Sequence, residues 1–327
     1  MKKSFFGLVC GLLISTVCAA WQPPSVVRVI VGQSPGGGNE FAFRGIDPVL
    51  ERNISGTKFI FDHRPGLDNV VAMNHFAEQK PDGSSILVIV QATGFVAAPA
   101  AYRTQLQTDP MRYSFVSTLA KSPMALVVAT NSKFQTVPEL IAYLKNEKNT
   151  VNIGTSGSIN LLVYHYMLDR LGVSPQRAQA IRFNSPTEAS VAAATGVIDF
   201  AIVPMSVPKP LIDAGRVRLL AHTGSASVPG AESVPLMKDY IPGLAIDAAW
   251  SVFLPPGTPV EIVKWYNDAI LQALQDPAVK RYYENNWAVI DRNILGTTGL
   301  TASIESLRKN WLPTAFRVLS SEVQAKQ

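Results

Sequence analysis

The stretch that decides the fold is Val26–Arg44, which reads VVRVIVGQSPGGGNEFAFR. Its first part, Val26–Gly32, has the β-branched content of a buried strand. Pro35 and three glycines follow, and Asn39 and Glu40 lead into a run with helical periodicity. A strand, a glycine turn and a helix start bring several backbone N–H groups to one point, with the helix dipole behind them. The stretch therefore predicts an anion-binding loop.

The same order of elements recurs near residue 155. Val151–Gly154 predicts a strand, Thr155–Ser158 a glycine–serine loop, and the residues from Asn160 to Leu171 a helix. We expect the two loops to form the two halves of one ligand clamp. A plain structural role remains open for each loop: a tight strand-to-helix turn for the first, and an ordinary serine N-cap for the second.

Strands and helices alternate along the whole chain. The predicted strands Val26–Gly32, Lys58–Asp62 and Ser85–Val90 are separated by predicted helices, which indicates parallel βαβ units. In such sheets ligands lie beyond the carboxyl ends of the strands, where both glycine loops occur. The long apolar stretch Ser114–Thr130 predicts a first crossing into a second domain, and Ala248–Leu254 predicts the return.

These crossings predict an α/β protein in which one domain is inserted into another. The first domain comprises residues 21–122 and 246–327, and the second comprises residues 123–245. Two crossing strands form a hinge, and the space between the domains forms a ligand cleft.

The first 20 residues have the pattern of an export signal. Two lysines precede an apolar run over residues 5–17, which is too short to span a bilayer as a helix. Residues 18–20 (CAA) then supply small side chains at positions −3 and −1 of a cut after Ala20. The pattern predicts a Sec-type signal peptide and a periplasmic protein. A lipoprotein cut at Cys18 is the weaker alternative, because Val17 stands where a small residue is expected.

Composition limits the classes of function. Removal of the first 20 of 327 residues leaves 307, enough for two domains with proper cores. Both cysteines lie in the signal, so the exported protein has no thiol for catalysis or metal binding. The formal charge of +5 falls to +3 without Lys2 and Lys3. That mild excess has no basic block suited to nucleic acid, but it favours small anionic ligands.

The motifs give little support to catalysis. The first loop lacks both the Gly-Lys-Ser/Thr of a Walker loop and the G-x-G-x-x-G spacing of dinucleotide folds. The second reads G-T-S-G-S over Gly154–Ser158, which is not the G-x-S-x-G elbow of hydrolases, and Ser156 has no obvious base. The four histidines are scattered without HExxH-type spacing. We therefore predict no enzyme, no metal and no cofactor.

Six short motifs, in this order and spacing, resemble those of one family. They are Pro35-Gly36-Gly37-Gly38 with Arg44, Arg64-Pro65-Gly66, Pro81-Asp82-Gly83, Asn152-Ile153-Gly154-Thr155-Ser156-Gly157, Thr195-Gly196-Val197-Ile198-Asp199 and Phe253-Leu254-Pro255-Pro256-Gly257-Thr258-Pro259. No single motif is specific, but together they cover nearly all of the exported chain. The chain resembles the periplasmic receptors of tripartite tricarboxylate transporters, also called the Bug family.

The resemblance implies a type II, Venus-flytrap periplasmic binding protein. Such a protein binds a small carboxylate or amino-acid-like ligand between its domains and delivers it, as a monomer, to membrane permease subunits. The implied ligand-binding residues are Pro35, Gly36, Gly37, Gly38, Asn39, Glu40, Ala92, Thr93, Thr155, Ser156, Gly157, Ser158, Asn184, Pro204 and Met205. Two alternatives remain open: a ligand sensor for a membrane signalling protein, and a periplasmic enzyme on the same scaffold.

The chain departs from the family pattern at several positions. It has Ile159 and Val163 where the family usually has glycine and histidine, and Phe183-Asn184-Ser185 where the family usually has an aromatic–basic–glycine triplet. It reads Glu40 where the family usually has Asp, and Gly66-Leu67-Asp68-Asn69 where the family usually has Gly-Ala-Gly-Gly. An ionised Glu40 that pointed into the cleft would repel a second carboxylate. It would favour a ligand with a hydrogen-bond donor, such as an amide, hydroxyl or amine.

Overall fold

The computed structural model describes residues 21–54, 56–224 and 226–324. The predicted signal peptide, residues 1–20, lies outside the described residues. Within these ranges, no helix combines the length and the apolar character needed to cross a bilayer.

The strands of the described chain form one mixed, nine-stranded sheet. They are β1 (Val26–Val31), β2 (Lys58–His63), β3 (Ser85–Val90), β4 (Ser114–Ala129), β5 (Val151–Thr155), β6 (Ala178–Arg182), β7 (Phe200–Pro204), β8 (Val217–His222) and β9 (Asp247–Leu254).

Helices connect most of these strands. They are α1 (Gly38–Arg44), α2 (Asp47–Asn53), α3 (Val70–Ala77), α4 (Ala98–Ala101), α5 (Val137–Lys145), α6 (Ser158–Leu171), α7 (Pro186–Ala194), α8 (Lys209–Asp213), α9 (Val260–Ala273), α10 (Pro277–Glu284) and α11 (Gly296–Gln324).

The strand order places two parallel groups in one sheet. The order is β2-β1-β3-β9-β4-β7-β5-β6, and β8 also pairs with β4. β1 pairs in parallel with β2 and β3, and β5 pairs in parallel with β6 and β7. The predicted parallel βαβ units are therefore present in both parts of the chain.

β4 joins the two groups. Over Ser114–Pro123 it pairs with β9, and from Met124 onward it pairs with β7 and β8. We call β1, β2, β3, β9 and residues 114–123 the first half-sheet, and β5 to β8 with residues 124–129 the second half-sheet. The change of partner falls next to the predicted domain boundary at residues 122–123. The assignment of whole domains to these residue ranges stays a prediction.

Apolar side chains fill the space behind the strands. Every residue of β3 and β7 is buried, and Trp250 in β9 is fully buried. The rings of Phe95, Phe115 and Phe253 contact one another, with centroids 5.1–5.5 Å apart. Each large side chain buried in this way stabilises the fold by about 1.5–3 kcal/mol. This packing holds the loops beyond the strand ends in place.

The first helical segment differs from its prediction. The periodicity predicts one helix over Phe41–Arg52, whereas the structure has α1 and α2 with a break after Arg44. Pro48 lies in the first turn of α2, where its missing N–H breaks no helical hydrogen bond. At Gly45, an added Cβ would lie 2.8 Å from the ring of Tyr283, so α10 packs directly against the break.

Candidate functional site

The first glycine loop turns the chain from β1 into α1. Gly36 has a φ of 77°, a left-handed conformation that glycine adopts without a steric penalty. Its N–H donates to the Glu40 carboxylate at 2.9 Å, and the Asn39 N–H donates to the Gln33 side-chain oxygen at 3.0 Å. Two of the N–H groups expected to bind an anion are therefore hydrogen-bonded inside the loop.

The Glu40 side chain forms hydrogen bonds with its own loop and with a neighbouring arginine. Its carboxylate accepts a hydrogen bond from Arg44 at 3.0 Å and lies 3.4 Å from Nε2 of His63. Together with the Gly36 N–H, these groups surround the carboxylate with donors. The negative charge of Glu40 is thus balanced locally.

The second glycine loop leads from β5 into α6, which has 14 residues. Gly157 is the N-cap, and the Ser158 N–H donates to Oδ2 of Asp68. Asp68 lies in the loop after β2, a strand of the first half-sheet. Its carboxyl group therefore lies at the start of α6, the helix that follows β5 of the second half-sheet. Carboxylates are stabilised at this end of a helix by free N–H groups and by the dipole.

The segment that carries Asp68 has an unusual backbone. Leu67, Asp68 and Asn69 have φ values of 42°, 58° and 74°, all in the left-handed region. Asp and Asn tolerate this region better than other residues with a side chain, whereas Leu does not. The side-chain oxygen of Asn69 accepts a hydrogen bond from Asn39 at 2.9 Å, which anchors the segment to α1.

Two glycines make room for this segment. A Cβ at Gly157 would lie 2.4 Å from Oδ1 of Asp68, and a Cβ at Gly32 would lie 2.3 Å from Oδ1 of Asn69. Real Cβ contacts are essentially never this short. The glycines of both strand-to-helix loops therefore accommodate the side chains of residues 68 and 69.

Burial raises the pKa of the carboxyl group at the helix start. Desolvation raises the pKa of Asp68, while the hydrogen bond from Ser158 and the positive charge of Arg182 oppose that rise. Burial also raises the pKa of the Tyr102 phenol, and the negative charge of Asp68 adds to that rise. Asp68, Tyr102 and Arg182 thus influence one another electrostatically.

These residues line a cavity of about 250 Å³. Its lining consists of Gly32, residues 65–69, Tyr102, Ser156 and residues 182–184. This volume is large enough to hold several waters or a small metabolite. The cavity is lined by a carboxyl group, a guanidinium, amides and hydroxyls.

Larger cavities lie elsewhere in the described chain. One of about 490 Å³ lies between Lys121 and α11, and one of about 700 Å³ lies between α9, α10 and the residues up to Leu295. The 250 Å³ cavity differs because loops that follow strands of both half-sheets meet there. Its position matches the rule that ligands bind beyond the carboxyl ends of parallel strands.

Several polar atoms of these loops and of strand β9 are buried without a hydrogen-bond partner among the described residues. They are Oδ1 of Asn39, Oδ1 of Asp68, Oγ1 of Thr155 and Oγ of Ser156 in or beside the loops, and Nε1 of Trp250 in β9. Such atoms are rare in folded proteins, because each unpaired group costs about 1–3 kcal/mol. Both half-sheets contribute to the set, which is therefore suited to a polar ligand held between them.

Only some of the predicted site residues line the 250 Å³ cavity. Ser156 and Asn184 line the cavity, and Thr155, Gly157 and Ser158 surround the Asp68 carboxylate or lie beside it. The remaining predicted residues, in the first loop and at Ala92, Thr93, Pro204 and Met205, are not among the cavity-lining residues. Their roles in ligand binding stay predictions.

Ala92 and Thr93, Met205 and the first glycine loop lie in three different surroundings. Ala92 and Thr93 are buried at the end of β3, where a turn of π-helix begins at Thr93. Met205 is fully buried and packs into a small apolar cluster of the second half-sheet. In the first loop, Thr187 of α7 donates to the Gly36 carbonyl at 3.2 Å, so this loop also contacts the second half-sheet.

The cavity includes residues that the sequence analysis did not assign to the site. Asp68 and Asn69 come from the loop after β2, Tyr102 follows α4, and Arg182 ends β6. The one sequence signal was the replacement of the usual family glycines by Leu67-Asp68-Asn69. In the part of the chain that the structure describes, no group of three or more His, Cys, Asp or Glu residues could hold a metal ion.

Comparison with known proteins identifies the family. A family model described as the tripartite tricarboxylate transporter family receptor matches residues 43–291, which is more than half of the chain. The chain belongs to this receptor family. The receptor is also 26% identical over 287 residues to a UPF0065 protein of Bordetella bronchiseptica, covering 84% of this chain and 83% of that protein.

Solved structures give the same fold. MatC from Rhodopseudomonas palustris with bound malate has a TM-score of 0.82 at 22% identity, covering 89% of this receptor and 98% of MatC. Another R. palustris protein, with adipate, has a TM-score of 0.81 at 23% identity, covering 89% and 97%. These likenesses confirm the predicted α/β fold of periplasmic solute-binding proteins.

Proposed function

We propose that this receptor captures a small carboxylate-containing metabolite between its two half-sheets. It then delivers the metabolite to the membrane permease subunits of a tripartite tricarboxylate-type transporter. The signal peptide directs export and is cleaved after Ala20, and the protein works in the periplasm as a monomer. It binds its ligand without chemical change and needs no cofactor.

One observation carries this proposal: buried, unpaired polar atoms from both half-sheets surround the ends of the strands. Oδ1 of Asn39, in α1, and Nε1 of Trp250, in β9, lie on the side of the first half-sheet, whereas the hydroxyls of Thr155, at the end of β5, and Ser156, in the loop after it, lie on the side of the second. Neither set is complete alone, so a bound ligand favours the arrangement in which the two approach each other. Malate and adipate in the similar solved structures support a carboxylate as the ligand.

A thermal-shift screen tests binding. The purified protein is heated with a panel of carboxylates and amino acids that includes malate and adipate. A ligand at 100 times its Kd stabilises the folded protein by about 2.7 kcal/mol, which raises the melting temperature by several degrees. Recovery of the ligand unchanged after incubation tests the absence of catalysis. If no member of the panel raises the melting temperature, the proposal is wrong.

A variant pair localises the site. Ser156→Ala removes a hydroxyl that lines the cavity, and loss of one hydrogen bond, about 1 kcal/mol, should weaken binding about fivefold. Ser174→Ala removes an exposed hydroxyl after α6 and should leave the Kd unchanged. Equal affinity of the two variants would contradict a role for Ser156.

Uptake by whole cells tests delivery. Deletion of this receptor should abolish uptake of the ligand found in the screen, and so should deletion of its permease subunits. Normal uptake without the receptor would contradict delivery and would favour a signalling role.

A further inference from the structure

Asp68 places a carboxylate of the protein itself at the start of α6. Its Oδ2 accepts the hydrogen bond of the Ser158 N–H, at the N-terminus of a 14-residue helix. Thr155, the last residue of β5, and Ser158, the first residue of α6, are each only 1% exposed, and the Thr155 hydroxyl has no hydrogen-bond partner among the described residues. This end of α6 has the donors that bind an anion, and Asp68 already uses one of them.

The surrounding residues accommodate this carboxylate closely. Gly157 leaves space for Oδ1 of Asp68, since a Cβ there would lie 2.4 Å away. Gly32 leaves similar space for Asn69, whose side chain is hydrogen-bonded to Asn39 at 2.9 Å. The next residue along the chain is thus anchored to the first half-sheet while Asp68 reaches the second. The hydrogen bond from Ser158 and the anchoring of Asn69 to Asn39 therefore hold Asp68 at the start of α6.

The remaining groups of the cavity define what could bind beside Asp68. Oδ1 of Asp68 is buried and has no partner among the described residues, so it can accept a hydrogen bond. Arg182 lines the same cavity, with its guanidinium 5.8 Å from the Tyr102 ring centroid, and is exposed enough to meet a ligand. Ser156 and Asn184 line the same cavity and supply neutral polar groups. A carboxyl acceptor and a guanidinium in one cavity complement a ligand with a donor and a carboxylate.

We propose that Asp68 determines specificity by occupying the helix-start position that a second ligand carboxylate would need. The receptor thus takes a monocarboxylate that presents an ammonium or amide group to Asp68 and its carboxylate to Arg182. Dicarboxylates of the same length are disfavoured, because their second carboxylate would face Asp68. This inference rests on the proposed function and narrows its ligand class.

Three matched probes test the inference at neutral pH. Succinate, succinamate and β-alanine share a two-methylene chain with one carboxylate, and the other end is a carboxylate, an amide or an ammonium. Apparent Kd values come from the melting temperature as a function of probe concentration. For the wild-type protein, we expect succinamate or β-alanine to bind at least about tenfold more tightly than succinate, a difference of about 1.4 kcal/mol.

Two variants separate charge from shape. Asp68→Gly suits the left-handed φ of 58° and frees the Ser158 N–H, so it should bind succinate at least about tenfold more tightly than the wild type does. Asp68→Asn keeps the shape without the charge and should lose the preference for β-alanine over succinate. A gain of succinate binding in Asp68→Gly supports the inference even if the wild type binds none of the probes.

The opposite results overturn it. A wild type that prefers succinate, an unchanged order of affinities in Asp68→Gly, or no binding of any probe by any variant each contradicts the inference. The proposed function is judged separately by the broad panel, since it requires only that the wild type bind some carboxylate.

Discussion

Gly157 controls how closely Asp68 approaches α6. Its φ of 173° is extended backbone that any residue can adopt, so the contact with Asp68 and the N-cap position limit substitution. We expect Gly157→Ala to destabilise the fold by about 1–3 kcal/mol, because the added Cβ would lie 2.4 Å from Oδ1. In the Asp68→Gly background the same change should cost less, about 1 kcal/mol or below, because only the preference of the N-cap for glycine over alanine remains. Urea denaturation measures all four proteins, and equal costs in both backgrounds would contradict the contact.

His222 should make stability depend on pH. Burial lowers its pKa from the usual 6.5, and its Nδ1 accepts a hydrogen bond from the Gly224 N–H, which requires an unprotonated nitrogen. Below pH 6.5 the unfolded chain therefore binds a proton that the folded chain does not bind. The free energy of unfolding should fall as the pH drops from about 6.5 towards the lowered folded pKa.

A variant isolates this contribution. His222→Asn keeps a hydrogen-bond acceptor near Gly224 but does not titrate in this range. Chemical denaturation between neutral and mildly acidic pH should give a smaller loss of stability for the variant than for the wild type. Identical slopes against pH would exclude His222 as the cause.

Single residues were harder to predict than the loops that contain them. Ser156 and Asn184 were assigned to the ligand site, and both line the cavity. Glu40 was expected to influence ligand choice by its charge, but Arg44 and the Gly36 N–H engage its carboxylate. The position of Asp68 at the start of α6 depends on three successive residues with left-handed φ values and on contacts with a segment 90 residues away. Neither hydrophobic periodicity nor local propensity contains that information.

At the level of elements, strongly apolar strands and capped helices were predicted well. Ser85–Val90 has the predicted bounds, because a continuous apolar run between turn residues has few alternative structures. The sequence Thr136-Val137-Pro138-Glu139 predicts a capping box with proline in the first turn, and this capping box is present in α5. Both signals are local: a run of buried side chains in the first case, and a pair of reciprocal hydrogen bonds in the second.

Elements that depend on tertiary packing were missed. The amphipathic pattern over Glu305–Ser321 predicts a last helix there, but α11 begins at Gly296. Its first turns pack beside β4, where the Gly296 N–H donates to the Ser117 hydroxyl at 2.9 Å. The π-helical turn Thr93–Ala97 was also not predicted, and all of its residues are buried. A sequence pattern does not reveal such partners.

The capping box gives a prediction for α5. Thr136→Ala removes the side-chain oxygen that accepts from the Glu139 N–H, and should destabilise the protein by about 1 kcal/mol. Thr298→Ala, at an exposed position inside the first turns of α11, should change stability by less than about 0.5 kcal/mol. Thermal denaturation compares the two variants. If Thr298→Ala costs as much as Thr136→Ala, the capping hydrogen bonds do not stabilise α5 as the structure indicates.

In the molecule as a whole, β4 joins the two half-sheets, because it pairs with β9 over its first part and with β7 and β8 over its second. The sequence predicted a crossing at Ser114–Thr130 because this stretch is long and apolar, and the division into domains stays a prediction. The sequence did not predict how the halves contact each other, since those contacts join distant residues. Two of them are the hydrogen bond from Ser158 to Asp68 and the one from Thr187 to the Gly36 carbonyl.

The Thr187 hydrogen bond forms only when the half-sheets approach each other, so its loss should oppose closure around a ligand. Thr187→Val removes the 3.2 Å bond to Gly36 while keeping the side-chain shape. Because an exposed bond contributes about 0.5–1 kcal/mol, the apparent Kd of the screened ligand should rise about two- to fivefold. Thr187→Ser retains the hydroxyl and should bind with nearly wild-type affinity. Calorimetric titration distinguishes the two variants, and equal affinities would mean that this bond does not couple closure to binding.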